Sequence, residues 1–339
     1  MELTKNDSKM LQGLSVLAIV WLHLFDRDYT GLFTPLVFAG GAPLTFYIAQ
    51  LSDFCVFGFA FLSGYAHMTQ YGQAGYYKRR LKGLLSVFCS YWLILIVFSV
   101  VGMLIGQADF IPGSFGKFVR NALALESSYN GAWWYMFTYA VLVILSPALL
   151  KWTKRSHPLV VLSVGFAIYC AAYYVRFRPI SSNGLLGKFG PLGMTLFEYL
   201  LGALAWKYQV FTKLHHIWRR IPKAVQWLLA AALLLGMLYG RTKIVPSLFV
   251  APITGFVVML LFHFWQKPNA VQRVFLWAGR HSTNIWLTHM FFYSVLFENL
   301  VYIAKNPLAV FAFMLAITVL LSMLLQLLER PIQKRIAKI

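Results

Sequence analysis

Ten apolar stretches, most of them about 20 residues long, limit the folds open to this 339-residue chain. About 20 residues of α-helix cross the hydrocarbon core of a bilayer, where backbone polar groups must be satisfied within the protein. Sixty per cent of the residues are hydrophobic and 12% are charged, about half the charged fraction of a soluble domain. The sequence therefore predicts an all-α, polytopic membrane protein. The predicted spans are residues 10–25, 46–70, 83–106, 132–150, 158–175, 191–207, 225–240, 245–265, 281–301 and 308–328.

The distribution of basic residues predicts the orientation of these spans. Lysine and arginine outnumber aspartate and glutamate by 30 to 10, and 21 of the 30 lie in segments on the same side as both termini. Because basic residues accumulate on the cytoplasmic side, both termini are expected there. The basic residues form short clusters between apolar runs, which argues against a nucleic-acid partner. No loop is long enough for a soluble domain, so residues 1–339 are expected to form a single membrane domain.

The three cysteines predict neither a disulfide framework nor a metal site. Cys55, Cys89 and Cys170 are dispersed in apolar runs, without a CxxC pair or metal-ligand spacing. We therefore expect them to be small buried apolar residues, and we expect no metal cofactor.

His23 is the first candidate for a functional residue. It follows Leu11 by twelve residues in the first span, which places it roughly 18 Å along the helix from the cytoplasmic edge. An ionisable side chain at membrane depth is costly, and it usually faces a protein interior or a wet cavity. Histidine is suited to taking and returning a proton near neutral pH. From this segment alone, a packed polar residue and a working residue are equally good interpretations.

Two further segments allow both a structural and a functional interpretation. Ser63 and Gly64 in the second span are typical of close helix packing, and they would also allow the helix to open beside a ligand. Arg79, Arg80 and Lys82 precede the third span, where such a cluster commonly sets topology or contacts anionic lipid. The same cluster would also suit the phosphates of an adenine nucleotide.

Aromatic residues and a lone carboxylate mark two other spans. Trp133, Trp134 and Tyr135 lie where the fourth span enters the membrane, as an interfacial aromatic belt would, and similar platforms line carbohydrate sites. Glu198 lies within an apolar run, which favours a role in a polar network.

The ninth span begins with several polar side chains. His281, Ser282, Asn284 and His289 fall within GRHSTNIWLTHMFF, and Ser282 and His289 share a helix face. Ser282 could cap the helix. A functional and a structural role are equally supported here.

Five segments, in order, resemble the membrane-bound acyltransferase-3 family, which O-acylates envelope polysaccharides, lipids and related acceptors with acyl-CoA. The first is SKMLQGLSVLAIVWLHLF with His23, and the second is CVFGFAFLSGY with Phe61 to Tyr65. The others are YYKRRLKGLL, AWWYMFTYAVLVILSP, and GRHSTNIWLTHMFF with Gly279, Ser282, Trp286 and His289. One departure is the first-helix arginine of many members, since this region reads Gln12-Gly13-Leu14-Ser15, with Lys9 as the nearest basic residue.

The resemblance implies an inner-membrane O-acyltransferase that moves an acetyl group from cytoplasmic acyl-CoA to an envelope polysaccharide or glycolipid. His23 would be the general base, and Ser282, Asn284 and His289 would stabilise the oxyanion. Arg79, Arg80, Lys82, Ser63 and Gly64 would bind acyl-CoA. Trp133, Trp134, Tyr135 and Glu198 would contact the acceptor.

Two other functions remain open at this point. One is a transporter or flippase for an envelope sugar or lipid, with His23 and Glu198 in a proton relay. The other is an acyl-CoA-dependent enzyme that acts on a lipid or small molecule. The sequence also leaves open the acceptor, the acyl chain length, an acyl-histidine intermediate, and assembly as a homo-oligomer.

Overall fold

The computed structural model describes residues 2–176, 184–243 and 250–338, and most of these residues are helical. The only strands among them are β1 (Phe38–Ala39) and β2 (Ala42–Pro43), which pair antiparallel. The helices are α1 (Lys5–Phe25), α2 (Leu44–Ser52), α3 (Cys55–Gln70), α4 (Tyr76–Leu104), α5 (Phe115–Ala122), α6 (Trp134–Arg155), α7 (Pro158–Arg176), α8 (Gly184–Lys207), α9 (Val210–Trp218), α10 (Lys223–Lys243), α11 (Val250–Phe264), α12 (Asn269–Met290), α13 (Glu298–Val301) and α14 (Pro307–Lys338).

Seven helical segments of the described residues are long and apolar enough to cross a membrane. An eighth candidate is a bent pair, residues 269–295 and 298–304, with an angle of 99° between its parts. Each of the ten predicted stretches is mainly helical where it is described, although residues 245–249 of the eighth stretch lie outside the described residues. An all-α polytopic protein is therefore confirmed. Ten spans and cytoplasmic termini stay predictions.

The chain divides into two compact units. The first unit contains residues 1–26, 44–73 and 145–280, and the second contains residues 27–43, 74–144 and 281–339. The divisions within helices fall in α6 and α12.

In the first unit, α3 and α8 cross at a pair of glycines. A β-carbon on Gly64 would lie 1.9 Å from the carbonyl oxygen of Tyr199, and one on Gly202 would lie 2.0 Å from that of Phe61. Only glycine lets the two backbones approach this closely, as in small-residue packing between membrane helices. Beside this crossing lies a buried cluster that includes Met10, Leu11, Phe57, Phe61, Tyr65, Phe211 and Met259.

In the second unit, α4 packs against α14 and against the segment that follows α12. Gln333 of α14 donates from Nε2 to the carbonyl oxygen of Ser86, at 3.3 Å. Phe98 of α4 stacks on Phe291, with 3.9 Å between ring centroids and 9° between ring planes. Phe291 begins a π-helix, Phe291–Val295, which directly follows α12. π-Helical turns are rare and often occur at functional sites.

Candidate functional site

His23 lies in the last turn of α1, in the first unit. This helix begins at a capping box in which the Thr4 hydroxyl accepts from the Asp7 N–H and the Asp7 carboxylate accepts from the Thr4 N–H. It ends at Phe25, and its C-cap residue, Asp26, follows His23 by three residues. His23 is half-buried. The His23 side chain is therefore packed against the protein and still partly accessible from outside it, as a proton-transfer residue needs to be.

The carboxylate of Asp26 connects the end of α1 to α2. Gln50 of α2 donates from Nε2 to Asp26 Oδ1. Loss of hydration around the carboxyl group, followed by the nearby Asp53 carboxylate, raises the pKa of Asp26, whereas Arg241 and the Gln50 amide act in the opposite direction. The residues beside the end of α1 therefore carry several charges.

Asp53, Arg241, Arg176 and Glu198 form a charged network in the first unit. Asp53 lies in the break between α2 and α3, and its Oδ2 is 3.4 Å from Nε of Arg241. Arg176 interacts electrostatically with Asp53 and with Glu198. Glu198 of α8 is 5% exposed, and its buried Oε2 has no hydrogen-bond partner among the described residues. Glu198 thus has charged neighbours, Asp53 and Arg176, that were not singled out from the sequence, and contact of Glu198 with an acceptor stays a prediction.

Ser63 and Gly64 have structural partners in the first unit. The Ser63 hydroxyl donates to the carbonyl oxygen of Phe59, 2.8 Å away in the preceding turn of α3. Gly64 forms the crossing with α8 described above. Both observations agree with the packing interpretation, and acyl-CoA binding by these two residues stays a prediction.

The polar residues of α12 lie in the second unit and are buried. Ser282 is 5% exposed, Asn284 is 4% exposed and His289 is fully buried. His289 Nδ1 is 2.7 Å from the carbonyl oxygen of Trp286 and 3.2 Å from that of Ile285. A carbonyl oxygen only accepts, so Nδ1 carries the proton, and Nε2 of the neutral ring is an acceptor. His281 Nδ1 lies 2.9 Å from the Ser322 hydroxyl of α14.

Hydrogen bonds fasten the segment before α6 to the end of α12. Asn130 Nδ2 and Trp133 Nε1 both donate to the carbonyl oxygen of Leu287, at 3.0 and 2.9 Å. Trp286 Nε1 donates in return to the carbonyl oxygen of Ala132, at 3.2 Å. These bonds join two of the motifs found in the sequence. Asn130 was not singled out, although an asparagine before a helix is a typical cap.

The three aromatic residues at the start of α6 differ in burial. Trp133 is 1% exposed and Tyr135 is 8% exposed, with the Tyr135 ring packed edge-on against Trp286 at 5.7 Å. Trp134 is half-buried. Trp133 therefore positions α6 against α12, while contact of these residues with an acceptor stays a prediction.

The basic cluster in the first two turns of α4 makes contacts with the chain itself. Arg79 is exposed and donates from Nη1 to the carbonyl oxygen of Ala74, whereas Lys82 donates from Nζ to that of Ala337, at 3.3 Å. Arg80 is half-buried and interacts electrostatically with Tyr139. Phosphate binding by this cluster stays a prediction.

The predicted site residues divide between the units. His23, Ser63, Gly64 and Glu198 belong to the first unit. The second unit contains Arg79, Arg80, Lys82, Trp133, Trp134, Tyr135, Ser282, Asn284 and His289. In the described part of the chain, no group of three histidine, cysteine, aspartate or glutamate residues is placed to hold a metal ion.

Comparison with known proteins identifies the family. Residues 7–327 match the family profile Acyl_transf_3, described as an acyltransferase domain. Neither curated proteins nor solved structures gave a match. The profile spans most of the chain and includes all the predicted site residues, and the apolar helices agree with a multi-pass membrane protein. The chain therefore belongs to the acyltransferase-3 family of membrane acyltransferases.

Proposed function

We propose that this acyltransferase moves an acetyl group from acyl-CoA to a hydroxyl of an envelope polysaccharide or glycolipid at the inner membrane. The observation that carries this assignment is the family match over residues 7–327, which includes a half-buried histidine at the end of the first apolar helix. A transporter would not need an acyltransferase domain, so the match favours the enzyme over a transporter or flippase.

In the proposed reaction, His23 is the general base. The acceptor hydroxyl loses its proton to His23 as its oxygen attacks the thioester carbonyl carbon. The tetrahedral intermediate then collapses, the carbon–sulfur bond breaks, and the proton returns from His23 to the CoA thiolate. The products are the acyl ester and free CoA, so atoms and charges balance without a metal or redox cofactor.

The oxyanion of the intermediate needs hydrogen-bond donors. Ser282 and Asn284 are buried and can both donate. His289 is a weaker candidate, because its Nδ1 proton is used by the carbonyl oxygens of Trp286 and Ile285. We therefore assign oxyanion stabilisation to Ser282 and Asn284, and assign to His289 the positioning of the end of α12.

The proposal is tested with the purified full-length protein in lipid nanodiscs. Acetyl-CoA carrying a labelled acetyl group is supplied with envelope polysaccharide or glycolipid fractions, and both labelled product and free CoA are measured. We expect His23→Ala to lower transfer by about 100-fold or more, as loss of a general base does. His157→Ala, at an exposed histidine between α6 and α7, is the matched control and should retain activity.

The result that would contradict the proposal is wild-type protein that releases no CoA and labels no acceptor. Full activity of a correctly folded His23→Ala variant would exclude His23 as the base but not the acyltransferase. A labelled lipid or small molecule, in place of a polysaccharide or glycolipid, would revise the acceptor.

A further inference from the structure

The first unit contains a large cavity, lined by apolar, aromatic and basic residues, that none of the roles above uses. The cavity, here called the α9–α11 pocket, has a volume of about 1030 Å³. Its walls come mainly from α9, the start of α10 and the end of α11, and they include His215, Trp218, Arg219, Lys223, Trp227 and His263. This volume is at the upper end of the range for small-molecule and cofactor sites.

The charge of the α9–α11 pocket is positive. Arg219 and Lys223 are exposed, and in the described part of the chain neither forms an ion pair. None of the described residues that line the pocket is acidic. Two carboxylates lie beside its wall, with Glu2 Oε1 2.9 Å from the Thr212 hydroxyl and Asp7 Oδ1 3.9 Å from His263 Nδ1. Burial, and then neighbours that include His263 and Arg219, lowers the pKa of His215. The pocket therefore favours an anionic ligand.

Aromatic rings form part of the pocket wall. The Trp218 ring lies 5.7 Å from the Phe264 ring at an angle of 32°, and the His215 ring lies 5.5 Å from Phe264. Trp227 is 64% exposed. Exposed rings beside cations offer a face for stacking a planar base next to donors for its phosphates.

The turn that carries the two cations is held in place. Gln226 Nε2 donates to the carbonyl oxygens of Trp218 and Ile221, both at 2.9 Å. At the start of α9, the Thr212 hydroxyl and N–H both donate to Oε1 of Glu2, at 2.9 and 3.0 Å. The turn between α9 and α10 thus positions Arg219 and Lys223 before a ligand arrives.

We propose that the α9–α11 pocket binds the nucleotide of the acyl-CoA donor, with Arg219 and Lys223 on its phosphates and Trp218 and Trp227 against its adenine. This inference rests on the proposed function. Arg219 and Lys223 belong to the segment that the charge distribution places on the cytoplasmic side. The pocket replaces the cluster of Arg79, Arg80 and Lys82 as the nucleotide site.

Hydrogen bonds within the protein distinguish the α9–α11 pocket from the cluster of Arg79, Arg80 and Lys82 as a nucleotide site. Arg79 and Lys82 each donate to a backbone carbonyl of the second unit, whereas no such bond is described for Arg219 and Lys223. The pocket also supplies aromatic faces for a base, which a site for phosphate alone does not need. An anionic phospholipid headgroup shares the phosphate but lacks the base, so the two ligands can be distinguished.

The test measures binding of coenzyme A by calorimetry to the full-length protein in nanodiscs of zwitterionic lipid. We expect Arg219→Gln with Lys223→Gln to weaken binding by about tenfold or more, because charge-assisted hydrogen bonds are lost. Trp227→Ala should weaken coenzyme A binding and leave binding of pantetheine, which has no nucleotide, unchanged. Arg220→Gln is the matched control, because Arg220 is exposed, adjacent to Arg219 and not in the pocket wall.

Two results would overturn the pocket assignment. One is unchanged coenzyme A affinity in the Arg219→Gln/Lys223→Gln variant with a loss in Arg79→Gln/Arg80→Gln. The other is unchanged affinity together with loss of co-purified anionic lipid, measured by native mass spectrometry, which would identify a lipid headgroup site. Either result leaves the acyltransferase intact if wild-type protein still transfers the label. Nucleotide binding that follows the expected pattern without any transfer would instead overturn the proposed function alone.

Discussion

Gly279 of α12 lies so close to α1 that a β-carbon on it would be 2.2 Å from the carbonyl oxygen of Lys9. The contact has a counterpart on α1, where a β-carbon on Gly13 would lie 2.0 Å from the carbonyl oxygen of Phe275. Gly279 begins the late motif of the family resemblance, and Gly13 precedes His23 in α1. Both glycines therefore position the helix that carries His23.

We expect Gly279→Ala to destabilise the protein by about 1–3 kcal/mol, because the added methyl group must displace backbone atoms of α1. Gly236→Ala in α10 is the matched control, since no atom lies within 4 Å of the added carbon. It should be neutral or stabilising by up to about 1 kcal/mol through helix propensity. The stability of both variants is measured by thermal unfolding in one detergent. Equal unfolding midpoints for Gly279→Ala and Gly236→Ala would contradict the close contact between Gly279 and α1.

Trp133→Phe should lower the free energy of unfolding by about 1 kcal/mol or more, because the hydrogen bond to Leu287 is lost and the smaller ring fills less of a buried site. Adding Asn130→Ala should cost more than the sum of the single changes, since the buried Leu287 carbonyl then loses both donors. The control is Trp92→Phe, whose indole donates to Ala122 at a more exposed position. Strict additivity of the two changes would argue against a shared acceptor.

Arg241→Met should destabilise the protein by roughly 1–3 kcal/mol, because Asp53 loses a neighbouring positive charge in a partly buried setting. Adding Asp53→Asn should recover part of this loss, as a double-mutant cycle would show. Arg120→Met provides the comparison, since its ion pair with Glu126 is more exposed and should contribute less than about 1 kcal/mol. A cycle with no coupling between Arg241 and Asp53 would refute the interaction.

Glu126 should make a pH-dependent contribution to stability. Hydrogen bonds from Ser128 and Arg120 lower the pKa of Glu126 in the folded protein. The contribution is therefore fully present above the unfolded pKa of about 4.3, and it is lost as the pH falls through the lower folded value. The stability difference between wild type and Glu126→Gln should be larger at pH 6 than at pH 3. A stability difference between wild type and Glu126→Gln that grows as the pH falls would contradict a lowered pKa of Glu126.

Several parts of the site could be predicted because they depend on local sequence. The apolar stretches predicted the helices, since hydrophobic length constrains a membrane segment. The resemblance predicted the family from five segments in order, and the family is confirmed.

Other parts could not be predicted, because they join residues far apart in the chain. The pairing of Asp53 with Arg241 spans nearly two hundred positions, and neither residue belongs to a recognisable motif. The hydrogen bonds of Asn130 and Trp133 to Leu287 involve a backbone carbonyl, which has no sequence signature. The α9–α11 pocket exists only because α9, the start of α10 and the end of α11 come together in the folded protein.

The sequence alone determined that this chain is helical, membrane-embedded and a member of an acyltransferase family, because hydrophobic length and motif order are properties of contiguous residues. Only the tertiary structure decided which polar groups are already satisfied. In the folded protein, His289 Nδ1 hydrogen-bonds to a backbone carbonyl oxygen, and Lys82 Nζ donates to the carbonyl oxygen of Ala337. Arg219 and Lys223, by contrast, lie at the wall of a cavity. Hydrogen bonds and burial depend on distances between helices, and these distances are set by packing.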